Sequence, residues 1–334
     1  MARVLVLGGG YFIGRWIADE LIGRGHQVFV LSRGSSQGRH PEGAVHLGAD
    51  RTDRRQMEEA LAGREFDLVV EVSWLGAAAT RLAMELLAGR VRGWLFVSSA
   101  AVYAPAEILP YRPGSPLLCE LYPSPTPATQ YGWEKGVAEG AVARAAEKTG
   151  FAWAAVRPFY VYGEGNNLDR ESYLMDRVLE GGPLLIPGSG EGILHLGHIE
   201  DLARLAAGLG ELLLSDPSRA SGRAINFGGP ELVTVEGLYR VIEEVVGAKP
   251  GDLERVHFDP REVRDYRRFF PFRYRHFFGS LEELLELGLY PRIGLREGME
   301  RTWRWWQVKR RGMRRDFSSE EELVRRLTGR DRSP

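Results

Sequence analysis

The chain has 334 residues, 44% hydrophobic and 27% charged, with a net charge of −1. That length suits one large domain or two modest ones with a substantial buried core, and the composition excludes collagen-like, disordered and disulfide-scaffold chains. No apolar run reaches the ~18 residues of a membrane span, and near-neutrality means no global field calls for nucleic acid or a membrane surface. The single cysteine, Cys119, cannot form an intramolecular disulfide and has no thiol partner for a metal, which suits a reducing cytoplasm. Of the 44 basic residues only four are lysine (Lys135, Lys148, Lys249, Lys309), so a lysine in a functional position is hardly background.

In chain order, Val4–Leu7 is a short apolar run, and Phe12–Leu21 has helical spacing ended by Gly23 and Gly25. Apolar runs follow at Val28–Leu31, Ala44–Leu47, Leu68–Val72 and Trp94–Ser98, separated by helical stretches near Arg54–Leu61 and Ala77–Leu87. A long helix is expected over Ala128–Lys148 and a strand over Phe151–Arg157. Continuous apolar strands alternating with helices predict a Rossmann-type α/β fold, a doubly wound parallel sheet covered on both faces. The rhythm breaks after about residue 163, where helices at Arg170–Leu179, Ile199–Leu214, Val235–Val246 and Ser280–Leu287 and strands at Leu184–Ile186 and Arg223–Phe227 suggest a smaller C-terminal region. The expected division is a dinucleotide-binding domain over 1–165, with 195–230 returning to it, and a substrate-binding region over 166–194 and 231–334. Seven prolines between Pro105 and Pro127 read as a stiff surface loop without helix.

Gly8-Gly9-Gly10-Tyr11-Phe12-Ile13-Gly14 joins the first strand to the first helix. Backbone N–H groups at a helix N-terminus suit a pyrophosphate, and glycines allow the tight turn and close approach. Gly8, Gly10, Tyr11, Phe12, Ile13 and Gly14 are therefore candidate cofactor residues; a tight turn with no ligand is the plainer reading. An NAD site commonly ends the second strand with an acid, but here Ser32 and Arg33 stand there. A missing carboxylate followed by arginine suits a 2′-phosphate, so NADP is favoured over NAD, with a solvated Arg33 as the alternative. Asp50 is a candidate partner for the adenine amino group, or a turn or cap residue.

Tyr131 and Lys135 are four apart on the long helix and project from one face. A phenol with pKa ~10 needs help to act as a base near neutrality, and an adjacent ammonium supplies it. Ser99, at the carboxyl end of the fifth strand, is placed to hydrogen-bond a substrate oxygen.

Taken together, the glycine loop, Ser98-Ser99-Ala100-Ala101-Val102-Tyr103, Tyr131-Gly132-x-x-Lys135, Arg157-Pro158-x-x-Val161-Tyr162-Gly163, His195–Ala203 and Asn226-Phe227-Gly228-Gly229 resemble the extended short-chain dehydrogenases/reductases of the NAD-dependent epimerase/dehydratase type. The resemblance spans roughly residues 1–230. It implies catalytic Ser99, Tyr131 and Lys135, a bound nicotinamide cofactor positioned in part by Lys135, a small-molecule substrate and a homodimer built on two long helices per subunit. The bulky middle residue of the glycine loop and the stretch His276-Phe277-Phe278-Gly279-Ser280-Leu281 also resemble the chloroplast stem-loop-binding proteins and their bacterial relatives, some of which handle RNA without the catalytic pair. Ala100 and Ala101 replace the acid–base pair of the family's dehydratases, which argues against sugar 4,6-dehydration. Tyr160 replaces the asparagine that binds substrate phosphates in many nucleotide-sugar enzymes.

No metal is expected: His195 and His198 lack a third ligand. Trp303, Trp305 and Trp306 with Lys309, Arg310, Arg311, Arg314 and Arg315 read as an amphipathic helix with tryptophans inward and arginines solvated. The run Arg261, Arg264, Arg267, Arg268, Arg273 and Arg275 leaves open an anionic substrate, RNA or solvent. From Asp252 onward the chain is locally +5, with 20 basic and 15 acidic residues. The leading expectation is an NAD(P)-dependent oxidoreductase or epimerase acting on a hydroxyl or keto group of a sugar-like or other small molecule. The alternative is an RNA-binding or nucleotide-sensing protein on a Rossmann scaffold.

Overall fold

The computed structural model describes residues 1–34, 40–72 and 75–329. The amino-terminal strands and helices are β1 (Arg3–Leu7), α1 (Phe12–Gly23), β2 (Gln27–Ser32), β3 (Val45–Gly48), α2 (Arg54–Leu61), β4 (Phe66–Glu71), α3 (Gly76–Leu86), β5 (Val91–Val97), α4 (Leu118–Leu121), α5 (Gln130–Thr149) and β6 (Ala152–Pro158). A seventh strand, Arg223–Phe227, joins β6 in parallel. The seven form one sheet in the order Arg223–Phe227, β6, β5, β4, β1, β2, β3. Every described pairing within it is parallel. The strand order reverses beside β1, and open α/β sheets bind ligands in the crevice at that switch point.

Alternation within each strand explains why both faces are covered. Val4, Val6, Val28, Val30, Leu68, Val70 and Leu95 pack on one face with Ile17 and Leu21 of α1 and with Leu202, Leu205 and Leu209 of the helix Ile199–Ser215. Leu5, Leu7, Phe29, Leu31, Val69, Trp94 and Phe96 pack on the other with Met57 and Leu61 of α2, Ala83 of α3 and Ala138 and Val142 of α5.

The chain divides into two compact units, neither of them continuous. The first comprises Met1–Val161, Ile199–Gly228 and Gly279–Arg292; the second comprises Tyr162–His198, Gly229–Phe278 and Ile293–Pro334. The sequence reading does not contain the return at 279–292. It is made by side chains of low sequence signal: Asn226 and Gly279 meet beside Phe159, and the Arg292 N–H donates to Asp201 at 2.8 Å.

The proline-rich stretch differs from the expected surface loop. Leu118–Leu121 is helical, and Tyr111, Leu117 and Leu118 are buried. Prolines fix φ where they stand, but Leu117–Leu121 carries none, and Leu117 and Leu118 supply the buried apolar surface that holds it down.

In the second unit, Leu184–Pro187 pairs in parallel with Arg255–Phe258. Leu185, Val256, Phe258, Val263, Leu323 and Val324 form one apolar cluster of this unit. The C-terminal arginines are not all solvated. Asp176, buried on the helix Glu171–Leu179, accepts from Trp306 Nε1 at 2.9 Å, Arg310 Nε at 2.8 Å and Arg315 Nε at 3.1 Å. Trp303 is buried while Trp305 and Trp306 are half-buried. The three donors converge because a buried carboxylate costs stability unless its lone pairs are satisfied.

Candidate functional site

The glycine turn has the shape expected of a phosphate cradle. Gly8 takes φ +95°, in the left-handed region that glycine enters without strain. Its N–H donates to the Leu31 carbonyl at 3.1 Å, tying the turn to the end of β2. A Cβ on Gly14 would collide with the Gly8 carbonyl oxygen, so only glycine lets α1 close on the turn. Tyr11 is the extended N-cap residue and is exposed. Phe12 departs from the candidate list in its side chain, which is buried in the core under α1 while its backbone takes φ +23°. Bulky residues rarely adopt such a value, which is characteristic of functional turns. Ile13 is half-buried against the same core, so both residues offer only backbone to a ligand. The residues present fit a dinucleotide pyrophosphate: a Cβ-free cradle faces the first turn of a helix.

At the adjacent strand ends, Ser32 Oγ lies 3.1 Å from His46 Nε2, and Arg33 is exposed. Asp50 Oδ1 accepts from the Thr52 N–H at 2.9 Å and the Thr52 hydroxyl at 2.7 Å. These bonds hold its carboxyl below the usual carboxylate range, with a smaller pull from Arg33. Asp50 Oδ1 thus holds the turn, while Asp53 caps α2 through the Gln56 N–H.

Ser99 follows the end of β5, Lys135 reaches that end from α5, and Tyr131 stands one helical turn before Lys135. Ser99 opens a single 3₁₀ turn, Ala100–Val102, and its Oγ accepts from the Ala101 N–H at 3.1 Å, which leaves the hydroxyl proton to donate elsewhere. Helix α5 runs against this turn through Gly132, where a Cβ would overlap the Ala101 carbonyl. Tyr131, beside that contact, is 42% exposed, whereas Lys135, one turn on, is 3% exposed. Lys135 Nζ donates to the Val97 carbonyl at 2.8 Å and lies 4.7 Å from the centre of the Phe96 ring. Burial lowers its pKa to about 8 against the pull of Glu71, with Arg51 adding to the fall and Glu139 opposing it. Two of its three protons remain for other acceptors. Ser98 Oγ, one residue before Ser99, is buried without a hydrogen-bond partner among the described residues.

A second tyrosine nearby is buried and hydrogen-bonded on both sides of its hydroxyl. Tyr103 donates to Asn226 Oδ1 at 2.6 Å and accepts from Arg157 Nη1 at 3.2 Å. Burial pushes its phenol up, although Arg157 opposes the shift. Arg157 in turn meets Glu139 through Nε at 3.0 Å and through Nη2 at 2.5 Å, both side chains 5% exposed.

Sequence reasoning missed a buried polar cluster on the same face of the sheet. Glu71 ends β4 fully buried and accepts from the Arg51 guanidinium, from Thr80 Oγ1 at 2.7 Å and from Trp94 Nε1 at 3.2 Å. The available signal was an acid at the end of the apolar run Leu68–Val70, where a solvated residue would be out of place. In the second unit, His195 Nε2 lies 2.9 Å from the Gly229 carbonyl and burial lowers its pKa. His198 Nε2 lies 3.1 Å from Glu164. Among the described residues no group of three or more His, Cys, Asp and Glu side chains is placed to hold a metal. No described helix is long and apolar enough to cross a membrane.

The family model described as NAD dependent epimerase/dehydratase matches residues 4–226. The chain belongs to this family. Its relatives include the chloroplast stem-loop binding protein of 41 kDa b of Arabidopsis thaliana, 30% identical over 89% of this chain and 77% of that one. The 2′-dehydrokanamycin reductase of Streptomyces kanamyceticus is 29% identical over 73% of this chain and 67% of that one. Among solved structures, the UDP-glucose-4-epimerase of Stenotrophomonas maltophila, with bound NAD and formylated UDP-arabinopyranose, superposes with a TM-score of 0.77. That match covers 93% of this chain and 100% of the other at 19% identity, which establishes the shared fold. Membership makes the chain an oxidoreductase or epimerase of the extended short-chain dehydrogenase/reductase kind, with a nicotinamide dinucleotide as the cofactor of that fold. The expectation of NADP over NAD draws no support from these matches.

Proposed function

We propose that the chain catalyses nicotinamide-dependent oxidation–reduction or epimerisation at a carbon bearing a hydroxyl or keto group, with Ser99, Tyr131 and Lys135 as its catalytic residues. One observation carries this reading: an accessible tyrosine and a buried lysine lie one helical turn apart on a helix locked by Gly132 against the turn that bears Ser99. Nicotinamide supplies hydride acceptance and donation when bound. Tyr131 exchanges a proton with the substrate oxygen, Ser99 donates a hydrogen bond to that oxygen, and the Lys135 ammonium favours the phenolate. The backbone of Gly8, Gly10, Tyr11, Phe12, Ile13 and Gly14 would hold the pyrophosphate. Ser32 and Arg33 would face the adenosine ribose, and Asp50 the adenine. A homodimer remains part of this reading on family resemblance.

For the substrate class, the support is a cavity within the second unit. It has a volume of about 470 Å³ and is lined by Gly188, His257, Asp259, Arg261, Tyr274 and Arg275. Arg261 is tied to Asp259 at 2.7 Å, and Arg275 adds a second guanidinium, which suits an anionic small molecule such as a phosphorylated or nucleotide-linked sugar.

The test is mass analysis of nucleotide released from the purified protein, which distinguishes NAD from NADP. It is followed by reduction of the added cofactor with a panel of nucleotide sugars and small alcohols. Tyr131→Phe should retain the nucleotide and lose turnover; turnover equal to the parent removes the mechanism.

A second reading is RNA binding, favoured by the relationship to the stem-loop binding protein and by exposed Arg264, Arg267 and Arg268 beside the edge-to-face pair Tyr266–Tyr274. Salt-dependent RNA retention lost on neutralising these arginines supports it. No retention at low salt removes it.

A further inference from the structure

Lys135 is a buried cation, and the Glu71–Arg51 ion pair lies close by on the same face of the sheet. Glu71 is paired across the β4–β5 ladder with Phe96, whose ring lies under the Lys135 ammonium, and Lys135 Nζ donates to the next residue, Val97. Thr80, which donates to Glu71, lines a small cavity together with Lys135, Phe96 and Glu134. Glu71 therefore stands one strand away from the ammonium, fully buried, with Arg51 as its own counter-ion.

We propose that the buried Glu71–Arg51 pair is a positioning device for Lys135, in which Glu71 holds the ammonium in its charged place at the end of β5 and Arg51 limits that pull. The inference rests on the reading of Lys135 as a member of the catalytic site. The charged groups around Lys135 are few enough to apportion. Among the described residues, Glu71 comes from β4, Arg51 from the segment after β3, and Tyr131, Glu134 and Glu139 from its own helix, the last tied to Arg157 of β6; α3 adds the neutral Thr80. Glu71 favours the charged lysine and Arg51 disfavours it, while burial opposes the charge throughout. Burial is the largest influence and lowers the hold on the proton; Glu71 restores part of that hold, and Arg51, paired with the same carboxylate, takes part of it away again.

The test uses the full chain labelled with 13C at lysine Cε, whose chemical shift follows protonation of the adjacent nitrogen. With four lysines in the chain, Lys135→Met assigns the signal. The parent midpoint for Lys135 is expected near 8, well below the ordinary ~10.4 of the others. Glu71→Gln should lower that midpoint by about one unit and Arg51→Met should raise it by about one unit. Arg51→Lys, which keeps the charge, should restore the parent value. A purely structural pair would give two destabilised proteins without opposite shifts. Each single variant decides independently, so one that fails to fold does not protect the idea. A midpoint that stays put, or that moves the wrong way in either folded variant, overturns it. The underlying reading fails separately: Lys135→Met with parental turnover and nicotinamide dinucleotide affinity would remove Lys135 from the site whatever the lysine spectra show.

Discussion

Gly132 presses its bare Cα face against the carbonyl of Ala101, so closely that no side chain fits between them. This contact sets the distance from α5, which carries Tyr131 and Lys135, to the 3₁₀ turn that carries Ser99. Gly132→Ala must push the helix away or distort the turn. Overpacking of this kind costs ~1–3 kcal/mol. A displacement near 1 Å at a reacting group costs about 10²-fold in rate. Thermal melting and turnover of Gly132→Ala measure both losses, and parental turnover would show that the contact does not set the site.

Lys135 should destabilise the fold near neutrality. Its folded pKa of about 8 lies below the ordinary lysine value, so between these two pH values the native state binds fewer protons than the unfolded state. Stability from this group therefore rises with pH through that window, and below about 8 the buried charge opposes folding. Lys135→Met removes the charge and keeps the length. It should raise stability at pH 7 by an amount on the order of 1–3 kcal/mol, and the gain should shrink as pH approaches ~10. Urea unfolding across that range provides the measurement. A variant less stable than the parent at pH 7 would mean that the Val97 and Phe96 contacts outweigh desolvation.

Glu139→Gln attacks the buried pair with Arg157. Burial works against the Arg157 charge, but Glu139 beside it more than offsets this and holds the guanidinium firmly protonated. Arg157 also donates to the Pro113 carbonyl at 2.9 Å, so the pair ties α5 and β6 to the proline-rich stretch. Removing one partner of such a pair leaves an uncompensated buried charge and costs ~3–5 kcal/mol. Replacing both, as Arg157→Met with Glu139→Leu, should recover most of that. A double variant that loses more than Glu139→Gln would show that the bond to Pro113, which the single variant keeps, is the stabilising element.

Much of this was legible in the sequence, and the reasons are local. The apolar strands alternate with helices because each strand must be covered on both faces, so Val4–Leu7, Val28–Leu31 and Trp94–Ser98 declared themselves by composition. Tyr131 and Lys135 stood out because they follow the strand that ends in Ser99 and the proline-rich loop in that order, helical spacing alone being common, and Gly14 because its partner turn lies six residues away. What the chain concealed depends on contacts distant in sequence. Glu71 meets Arg51 across 20 residues and Trp94 across 23, and no periodicity marks either. Arg310 and Arg315 reach Asp176 across more than 130 residues, so a stretch that reads as one helix with a solvated arginine face instead ends its helix at Lys309 and is pinned by two of the arginines beyond it. The return of 279–292 to the first unit is hidden for the same reason.

Two glycines of α1 give opposite outcomes and isolate the cradle from the helix. A Cβ at Gly14 collides with the backbone of Gly8 and Gly9, so Gly14→Ala must open the turn in which the pyrophosphate is proposed to sit. Nicotinamide dinucleotide affinity, measured by calorimetry, should fall at least ~10-fold, since the aligned N–H groups lose their geometry. A Cβ at Gly23, in the last position of the same helix, meets nothing. Gly23→Ala should leave affinity unchanged and stabilise the fold by ~0.5–1 kcal/mol, the entropy that glycine loses on folding. Parental affinity in Gly14→Ala would move the cofactor away from this turn. A loss of affinity in Gly23→Ala would show that any change in α1 is felt at the site and that the close contact at Gly14 is not special.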